Sequence, residues 1–194
     1  DVMRGEETIL HGLVRQGRSD AMVCLPGTHA KWARLAGGHL TGFRTMMTGE
    51  MFALLGETSI LRHTVVAGDW SDGDFAAAVA ESHGAAGELP AMLFGLRAGP
   101  LLFGDDAPCG AARLSGLLIG AEIAIGMAGD DAPLCLVANG GMADRYAAAL
   151  TSLGIGFEIA DSEAAVRAGL FAAAARIWPD RGFQDTTLTD PKGE

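Results

Sequence analysis

The segment from Leu25 to Trp32 carries residues whose types and spacing are suited to binding phosphate. An apolar run, Ala21 to Leu25, enters a Pro-Gly-Thr turn, and a second apolar run follows. Gly27 lets the backbone approach an anion, Thr28 supplies a hydroxyl and an N–H group, and Lys31 supplies a positive charge. The turn is therefore a candidate phosphate site, although a Pro-Gly pair between strands is also typical of an ordinary tight turn.

Carboxylates precede the first predicted helix, at Asp1, Glu6 and Glu7. Acidic side chains are common at this position because they interact favourably with the helix dipole. If the Gly27 turn holds a transferable phosphate, one of these carboxylates could also accept the proton of the attacking hydroxyl, as phosphoryl transfer requires. His29 is either a donor to that phosphate or an ordinary turn residue.

A second glycine turn, Gly140-Gly141, follows the apolar run Leu134 to Ala138 and precedes a helical pattern. The absence of side chains and the free N–H groups at a helix start allow a nucleotide to approach closely. Asp161 ends the next predicted strand, where a dinucleotide-binding oxidoreductase places its ribose-binding acid. The glycines lack the spaced three-glycine pattern of that fold, so Asp161 or Ser162 is also interpreted as a helix cap.

The pattern of apolar residues predicts an α/β fold. A helix over Thr8 to Gln16 precedes three short strands, which the Pro-Gly-Thr turn and a Gly37-Gly38 turn join into a meander. Four helices are predicted next, over 46–56 with Thr48 as its cap, 71–87, 90–103 and 111–127. The order strand, helix, strand, helix then completes the chain and implies parallel pairing. We therefore expect a mixed sheet with helices on both faces.

Composition and charge exclude several classes of protein. The 194 residues are 49% hydrophobic and 20% charged, which indicates a folded domain with a sizeable core. A formal charge of −10, with the 14 basic residues scattered, argues against a nucleic-acid partner, and no apolar run is long enough to span a membrane. Cys24, Cys109 and Cys135 lack metal-ligand spacing, so we expect thiols in a reducing compartment, the cytoplasm.

Three strings in the chain resemble the 2-dehydro-3-deoxygalactonokinase family, which belongs with actin, the heat-shock chaperones and the sugar kinases. The strings are Asp1-Val2-Met3-Arg4-Gly5-Glu6-Glu7-Thr8, Leu25-Pro26-Gly27-Thr28-His29-Ala30-Lys31-Trp32 and Phe43-Arg44-Thr45-Met46-Met47-Thr48-Gly49-Glu50. With the glycine turn and the stretch Glu163 to Leu170, the resemblance covers nearly the whole chain up to Trp178.

The resemblance implies an ATP site built from the two glycine turns. Its phosphate-binding residues would be Gly27, Thr28, His29 and Lys31. Its adenosine-binding residues would be Gly140, Gly141 and Met142. Mg²⁺ would accompany ATP, and no residue of this chain is assigned as a metal ligand.

The resemblance also implies residues for the reaction itself. In the related glycerol-type sugar kinases, a catalytic Asp opens a helix that precedes the phosphate hairpin, and Asp1 holds that position relative to Gly27. Glu6 and Glu7 are the alternative bases. Arg4 is a candidate for binding the substrate carboxylate, because guanidinium pairs well with carboxylate, and a salt bridge to Glu6 or Glu7 is the other interpretation.

The fold implied by the resemblance is a ribonuclease-H-like lobe of the actin type. Two such lobes would close on ATP and transfer its γ-phosphoryl group to the terminal (6-) hydroxyl of 2-dehydro-3-deoxy-D-galactonate, in galactonate breakdown. The family's opening Asp-Trp-Gly-Thr turn has no counterpart here. Residues 1–178 are therefore interpreted as the C-terminal ATP-binding lobe without most of the N-terminal lobe, and 179–194 as a polar tail.

Two further expectations concern partners. The substrate class implied by the resemblance is a small sugar acid, and the sequence also permits a homodimer.

A module of the same fold that binds nucleotide or sugar acid without catalysis is the alternative function, because the first phosphate site of the family is missing from the sequence.

Overall fold

The computed structural model describes residues 1–66, 70–104 and 108–182. Five β-strands within these ranges form one mixed sheet with the order β3-β2-β1-β4-β5. Strand β1 lies at the centre, pairs antiparallel with β2 and parallel with β4, while β3 and β5 form the edges. The strands are β1 Ala21–Leu25, β2 Ala30–Ala36, β3 His39–Met46, β4 Leu134–Val137 and β5 Phe157–Ala160.

Helices cover both faces of the sheet, as predicted. Single turns of 3₁₀ helix occur at Ile60–His63, Ala86–Glu88 and Pro179–Arg181. The α-helices of the described residues are α1 Glu6–Arg15, α2 Thr48–Glu57, α3 Asp72–Gly84, α4 Leu89–Phe103, α5 Gly110–Gly126, α6 Gly140–Ser152 and α7 Ser162–Ile177.

The central strands are buried on both faces because alternate residues contact different helix layers. Met22 and Cys24 of β1 pack in the core beneath α3, α5 and α6, and Val23 packs in the core beneath α1 and α7. Cys135 of β4 lies in this second core as well. The continuous apolar runs in the sequence are thus explained by a sheet sandwiched between two helix layers.

Glycines allow α1 and α7 to pack at very short range. A Cβ atom on Gly12 would lie 1.8 Å from the carbonyl oxygen of Ala165, and one on Gly169 would lie 2.0 Å from that of Thr8. Helix backbones can approach this closely only where side chains are absent, so this pair of glycines sets the distance between the two helices.

Replacing Gly12 with Ala is expected to destabilise the protein by about 3 kcal/mol, because the added methyl overlaps backbone atoms that cannot turn away. The free energy of unfolding in urea measures this. Gly95→Ala is the matched control, since Gly95 is also helical and its Cβ would meet nothing within 4 Å. It is expected to stabilise α4 by about 0.5–1 kcal/mol. Equal stability of both variants would contradict the packing argument.

Most predicted elements are confirmed, with shifts of one to three residues at their ends. Ser71 caps α3 as expected, accepting a hydrogen bond from the Asp74 N–H group at 3.2 Å. The predicted cap at Thr48 is wrong: α2 begins at Thr48 itself and has no side-chain cap. The predicted Gly140-Gly141 turn is also corrected, since both residues already belong to α6.

One predicted segment, the polar tail, is described only in part. Of the predicted polar tail, residues 179–182 are described and contain a single 3₁₀ turn, while 183–194 lie outside the described residues. Within the described ranges, none of the helices has the length and hydropathy needed to cross a bilayer.

Candidate active site

The Pro-Gly-Thr turn and the segment before helix α6 lie close together at one edge of the sheet. Strands β1 and β4 are parallel neighbours, so their carboxyl ends lie side by side, which is where ligands bind in open α/β sheets. Residues 26–29, here called the hairpin turn, follow β1, and Ala138 and Asn139 follow β4. A cleft of about 540 Å³, the hairpin cleft, lies between them and is lined by Gly27, Thr28 and Met142 among others.

The hairpin turn is open toward this cleft. Thr28 and His29 are exposed, and a Cβ atom on Gly27 would meet no atom within 4 Å. Gly27 is also absent from the glycines with positive φ. Glycine is therefore not required at this position by the backbone conformation, and the space beside it is available to a ligand that approaches the main chain.

Helix α2 supports the hairpin turn from behind. The Glu50 N–H group donates to the Thr28 carbonyl at 3.1 Å, and the Glu50 carboxylate contacts His29 Nε2 at 2.5 Å. A Cβ on Gly49 would lie only 2.6 Å from the Gly27 carbonyl oxygen. The first turn of α2 and the hairpin turn thus form a single packed unit, in which Gly49 is the point of closest approach.

Lys31 lies below the hairpin turn and is almost fully buried, with 6% of its side chain exposed. Its Nζ donates to the His29 carbonyl at 3.0 Å and lies 3.3 Å from Glu6 Oε1. Burial alone would raise the pKa of Glu6, but hydrogen bonds from its own and the Arg4 backbone N–H groups, with Lys31, hold that pKa below its usual range. Glu6 is therefore an ionised anchor for Lys31.

The acidic segment, residues 1–7, forms the wall of a second cleft of about 730 Å³, here called the outer cleft. Asp1 and Arg4 line it together with His29, Lys31 and Thr45. Asp1 is exposed, and its Oδ2 accepts a hydrogen bond from the Thr45 N–H group at 2.9 Å. The hairpin cleft and the outer cleft share Glu6, His29 and Lys31, so they are continuous around the hairpin turn.

The expected position of Asp1 at the start of a helix needs correction. The sequence comparison placed Asp1 at the opening of a helix, whereas α1 begins at Glu6, and Glu6 and Glu7 occupy its first turn. The Glu7 carboxylate accepts a hydrogen bond from the Gly5 N–H group at 2.6 Å. Both glutamates are thereby engaged in holding the local backbone, while Asp1 faces the outer cleft. Among the ion pairs of the described residues, none involves Arg4, so the predicted salt bridge to Glu6 or Glu7 is absent there.

Two of the three predicted adenosine residues line different surfaces. Met142 is exposed and lines the hairpin cleft. Gly141 lines a separate cavity of about 240 Å³ beside Trp70 and Arg145, whose guanidinium lies 4.6 Å from the Trp70 ring. Gly140 begins α6 with φ at +58°, a conformation that favours glycine.

Asn139 precedes α6 without capping it. Its side chain donates to Ser162 Oγ at 2.8 Å instead, and α6 has no side-chain cap at its start. The N–H groups of the first turn of α6 thus donate no hydrogen bond to the Asn139 side chain, and such groups are suited to face a ligand.

A third space, the inner cavity, extends the hairpin cleft into the protein. It has a volume of about 210 Å³ and shares Gly27, Thr28 and Met142 with the hairpin cleft. Its remaining walls come from helices α2, α5 and α6, and the lining residues are Thr48, Gly49, Phe52, Ser115, Leu118, Ile119, Arg145 and Tyr146. An apolar cavity with a few polar groups is typical of a site for a flat organic ligand.

Sequence reasoning missed the polar cluster beside the inner cavity. Glu122 of α5 is buried and accepts hydrogen bonds from Trp32 Nε1 and from the Tyr146 hydroxyl, each at 2.8 Å. Burial raises the pKa of Glu122, although the polar side chains of Thr48, Trp32 and Tyr146 act in the opposite direction. The signal in the sequence was a lone acid inside the apolar helix 110–126.

The structure also distinguishes the two interpretations of Asp161. Asp161 is a helix cap, because its Oδ1 accepts from the Ala164 N–H group at 2.8 Å at the start of α7. Within the residues that the structure describes, no group of three or more His, Cys, Asp or Glu side chains is arranged to hold a metal ion. The three cysteines are free thiols, and two of them, Cys24 and Cys135, are buried.

Comparison with known proteins gives a consistent result. A family model described as 2-keto-3-deoxy-galactonokinase matches residues 1–173. The probable 2-dehydro-3-deoxygalactonokinase of Rhizobium meliloti (strain 1021) is 46% identical over 187 residues, which cover 92% of this chain and 60% of that protein. The 2-dehydro-3-deoxygalactonokinase of Escherichia coli (strain K12) is 32% identical over 179 residues, which cover 91% of this chain and 61% of the relative.

A solved structure is similar as well. The crystal structure of a candidate 2-dehydro-3-deoxygalactonokinase from Sinorhizobium meliloti matches with a TM-score of 0.85 and 44% sequence identity. The match covers 92% of this chain and 62% of that one. The chain therefore spans about three fifths of the length of the relatives that it matches.

Proposed function

The chain belongs to the 2-keto-3-deoxy-galactonokinase family, and from this we propose that the complete protein transfers the γ-phosphoryl group of ATP to the 6-hydroxyl of 2-dehydro-3-deoxy-D-galactonate. One observation in the structure carries the proposal. The hairpin turn and Met142, which the sequence separates by more than a hundred residues, line the same cleft at the carboxyl ends of β1 and β4. A triphosphate and a nucleoside need such adjacent sites.

The proposed fold is a ribonuclease-H-like lobe of the actin type. The antiparallel meander β1–β3 followed by parallel β4 and β5, with helices on both faces, agrees with that fold. The family relatives are longer than this chain, so we propose that residues 1–178 are an ATP-binding lobe and that a further lobe of the complete protein closes the outer cleft.

We propose that ATP runs from the hairpin cleft into the inner cavity. Its phosphates would contact the backbone at Gly27 and Thr28, with His29 as a donor. Lys31 would contribute positive charge from beneath the turn, where Glu6 and the His29 carbonyl hold it.

The adenosine would lie along the start of α6. Gly140 and Gly141 would allow close approach of the helix backbone, and Met142 would contact the base where the hairpin cleft joins the inner cavity. The apolar walls of the inner cavity suit the flat ring of the base.

Asp1 is the proposed catalytic base and Arg4 the proposed ligand of the substrate carboxylate. Both side chains line the outer cleft beside His29, so a sugar acid bound there would present its hydroxyl toward the hairpin turn. The Asp1 carboxylate would take the hydroxyl proton as the oxygen attacks the γ-phosphorus, and the bond to the bridging oxygen of ADP would break. Positioning supplies most of the rate enhancement in such a transfer.

Mg²⁺ would neutralise charge on the transferring phosphates. The described residues offer single carboxylates rather than a three-ligand cluster, which fits an ion held mainly by phosphate oxygens and water. As part of the same proposal, the free, partly buried thiols fit a protein that works in the reducing cytoplasm.

An ADP-release assay on the complete protein tests the proposed function. We expect turnover with 2-dehydro-3-deoxy-D-galactonate, and slower or no turnover with its gluconate epimer and with hexoses. Saturable ATP binding without turnover of any sugar acid would instead favour a non-catalytic binding module. Failure to bind ATP at all would overturn the proposal.

A further inference from the structure

A buried carboxylate stands out in helix α5. The helix Gly110–Gly126 carries one acidic residue, Glu122, whose exposed fraction is 2%. Transfer of a carboxylate from water into a protein interior is unfavourable unless hydrogen bonds compensate. An apolar residue would fill the same volume without this cost, so the carboxylate needs an explanation other than packing.

The partners of Glu122 come from three different elements. Trp32 Nε1 of β2 donates to Oε1, and the Tyr146 hydroxyl of α6 donates to Oε2. The Thr48 side chain of α2 interacts with the same carboxylate and lowers its pKa. The Trp32 ring also packs tightly against α5, because a Cβ on Gly126 would lie 2.2 Å from it. A fully satisfied buried network of this kind selects one arrangement of the elements that it joins.

Each of these elements forms part of the candidate nucleotide site. Strand β2 is the outgoing arm of the hairpin turn, and Thr48 precedes Gly49 and Glu50, which hold that turn. Tyr146 lies on α6 just after Met142, and both it and Thr48 line the inner cavity. One carboxylate therefore connects the arm of the hairpin turn, its support and the helix proposed to bind adenosine.

We propose that Glu122 is a positioning residue for nucleotide binding, which fixes the hairpin turn and helix α6 at one mutual distance. The inference rests on the proposed function, because it assigns the ligand of the site as ATP. Glu122 does not line the inner cavity and acts through Thr48, Trp32 and Tyr146.

Glu122→Gln in the complete protein tests the proposal. The amide keeps the size of the side chain and one carbonyl acceptor, but it places an NH₂ group against neighbouring donors and removes the charge that strengthens these bonds. We expect the KM for ATP to rise about tenfold or more, and the KM for the sugar acid to stay within about twofold. Loss of folding alone would reduce the active fraction and hence the apparent kcat, without changing the KM for ATP.

Ser82→Ala is the matched control. Ser82 is a buried residue of α3. Its hydroxyl donates to the Ala78 carbonyl of the same helix and to the Gly116 carbonyl of α5, the latter at 3.4 Å. Ser82 lines neither the hairpin cleft, the outer cleft nor the inner cavity. It is expected to lower the thermal midpoint and leave the KM for ATP unchanged. A similar rise in the KM for ATP in both variants would show that general loosening, rather than the Glu122 network, is responsible.

Tyr146→Phe covers the case in which Glu122→Gln does not fold. It removes one donor, keeps the ring, and is expected to raise the KM for ATP several-fold. If Glu122→Gln folds, an unchanged KM for ATP in that variant would overturn the inference. If Glu122→Gln does not fold, an unchanged KM for ATP in Tyr146→Phe would overturn it. Absence of ATP turnover by the unsubstituted protein would instead reject the proposed function, so the two failures are distinguishable.

Discussion

Asp1→Asn in the complete protein is expected to lower kcat by about 10²–10⁴, the usual contribution of a positioned general base. Asn keeps the size of Asp and can still accept the hydrogen bond from the Thr45 N–H group, so the acidic segment should keep its place. The KM for ATP is expected to stay within about threefold, since Asp1 lines the outer cleft and not the hairpin cleft or the inner cavity. Steady-state kinetics with saturating sugar acid measures both values.

Glu6→Gln distinguishes the carboxylate that holds Lys31 from the carboxylate that acts as the catalytic base. Both oxygens of Glu6 are engaged, one near Lys31 and one with the Arg4 N–H group, and its lowered pKa makes it a weaker proton acceptor. We therefore expect a rise in the KM for ATP, through the loosened Lys31, and a smaller loss of kcat than in Asp1→Asn. If Glu6→Gln carried the large loss of kcat and Asp1→Asn did not, the base would be the carboxylate that opens α1.

Gly49→Ala is expected to raise the KM for ATP at least tenfold and to destabilise the protein by about 1–3 kcal/mol. Its Cβ would lie 2.6 Å from the Gly27 carbonyl oxygen and 2.8 Å from the Thr28 Cα. These are backbone atoms, which cannot rotate out of the way, so the hairpin turn and α2 must separate. The hydrogen bond from the Glu50 N–H group to the Thr28 carbonyl would lengthen with them.

Gly73→Ala provides the comparison, because Gly73 is the second residue of α3 as Gly49 is the second residue of α2. A Cβ there would meet the Ser71 hydroxyl at an ordinary 4.0 Å. We expect unchanged kinetics and equal or slightly greater stability in urea. A normal KM for ATP in Gly49→Ala would mean that the hairpin turn does not bind the nucleotide.

Local patterns were enough to predict the sheet and its helices. The meander follows from apolar runs broken by the Pro-Gly-Thr and Gly37-Gly38 turns, and each of these turns joins neighbours in sequence. Parallel pairing of β4 and β5 follows from the helix between them. Such features depend on nearby residues, so a single sequence contains the necessary information.

Contacts between distant segments were not predictable in the same way. Thr48 has the residue type of a helix cap, yet it lies inside α2 and its side chain interacts with Glu122, which lies 74 positions later in the chain. The local preference of threonine for a cap did not reveal this tertiary contact. The family resemblance placed Asp1 at the start of a helix. In the structure that helix begins at Glu6, and residues 2–5 separate Asp1 from it.

The burial of Cys24 and Cys135 makes these thiols reporters of how often the centre of the sheet opens. Burial raises the pKa of both, that of Cys135 to about 12, and a thiol reacts with alkylating reagents as its thiolate. Cys109 is partly exposed and should be modified first. Cys24 is the penultimate residue of β1, the strand that leads into the hairpin turn. Its modification therefore requires this strand to detach from the sheet. Its slow labelling, timed by mass spectrometry, would record that opening, and ATP would retard it.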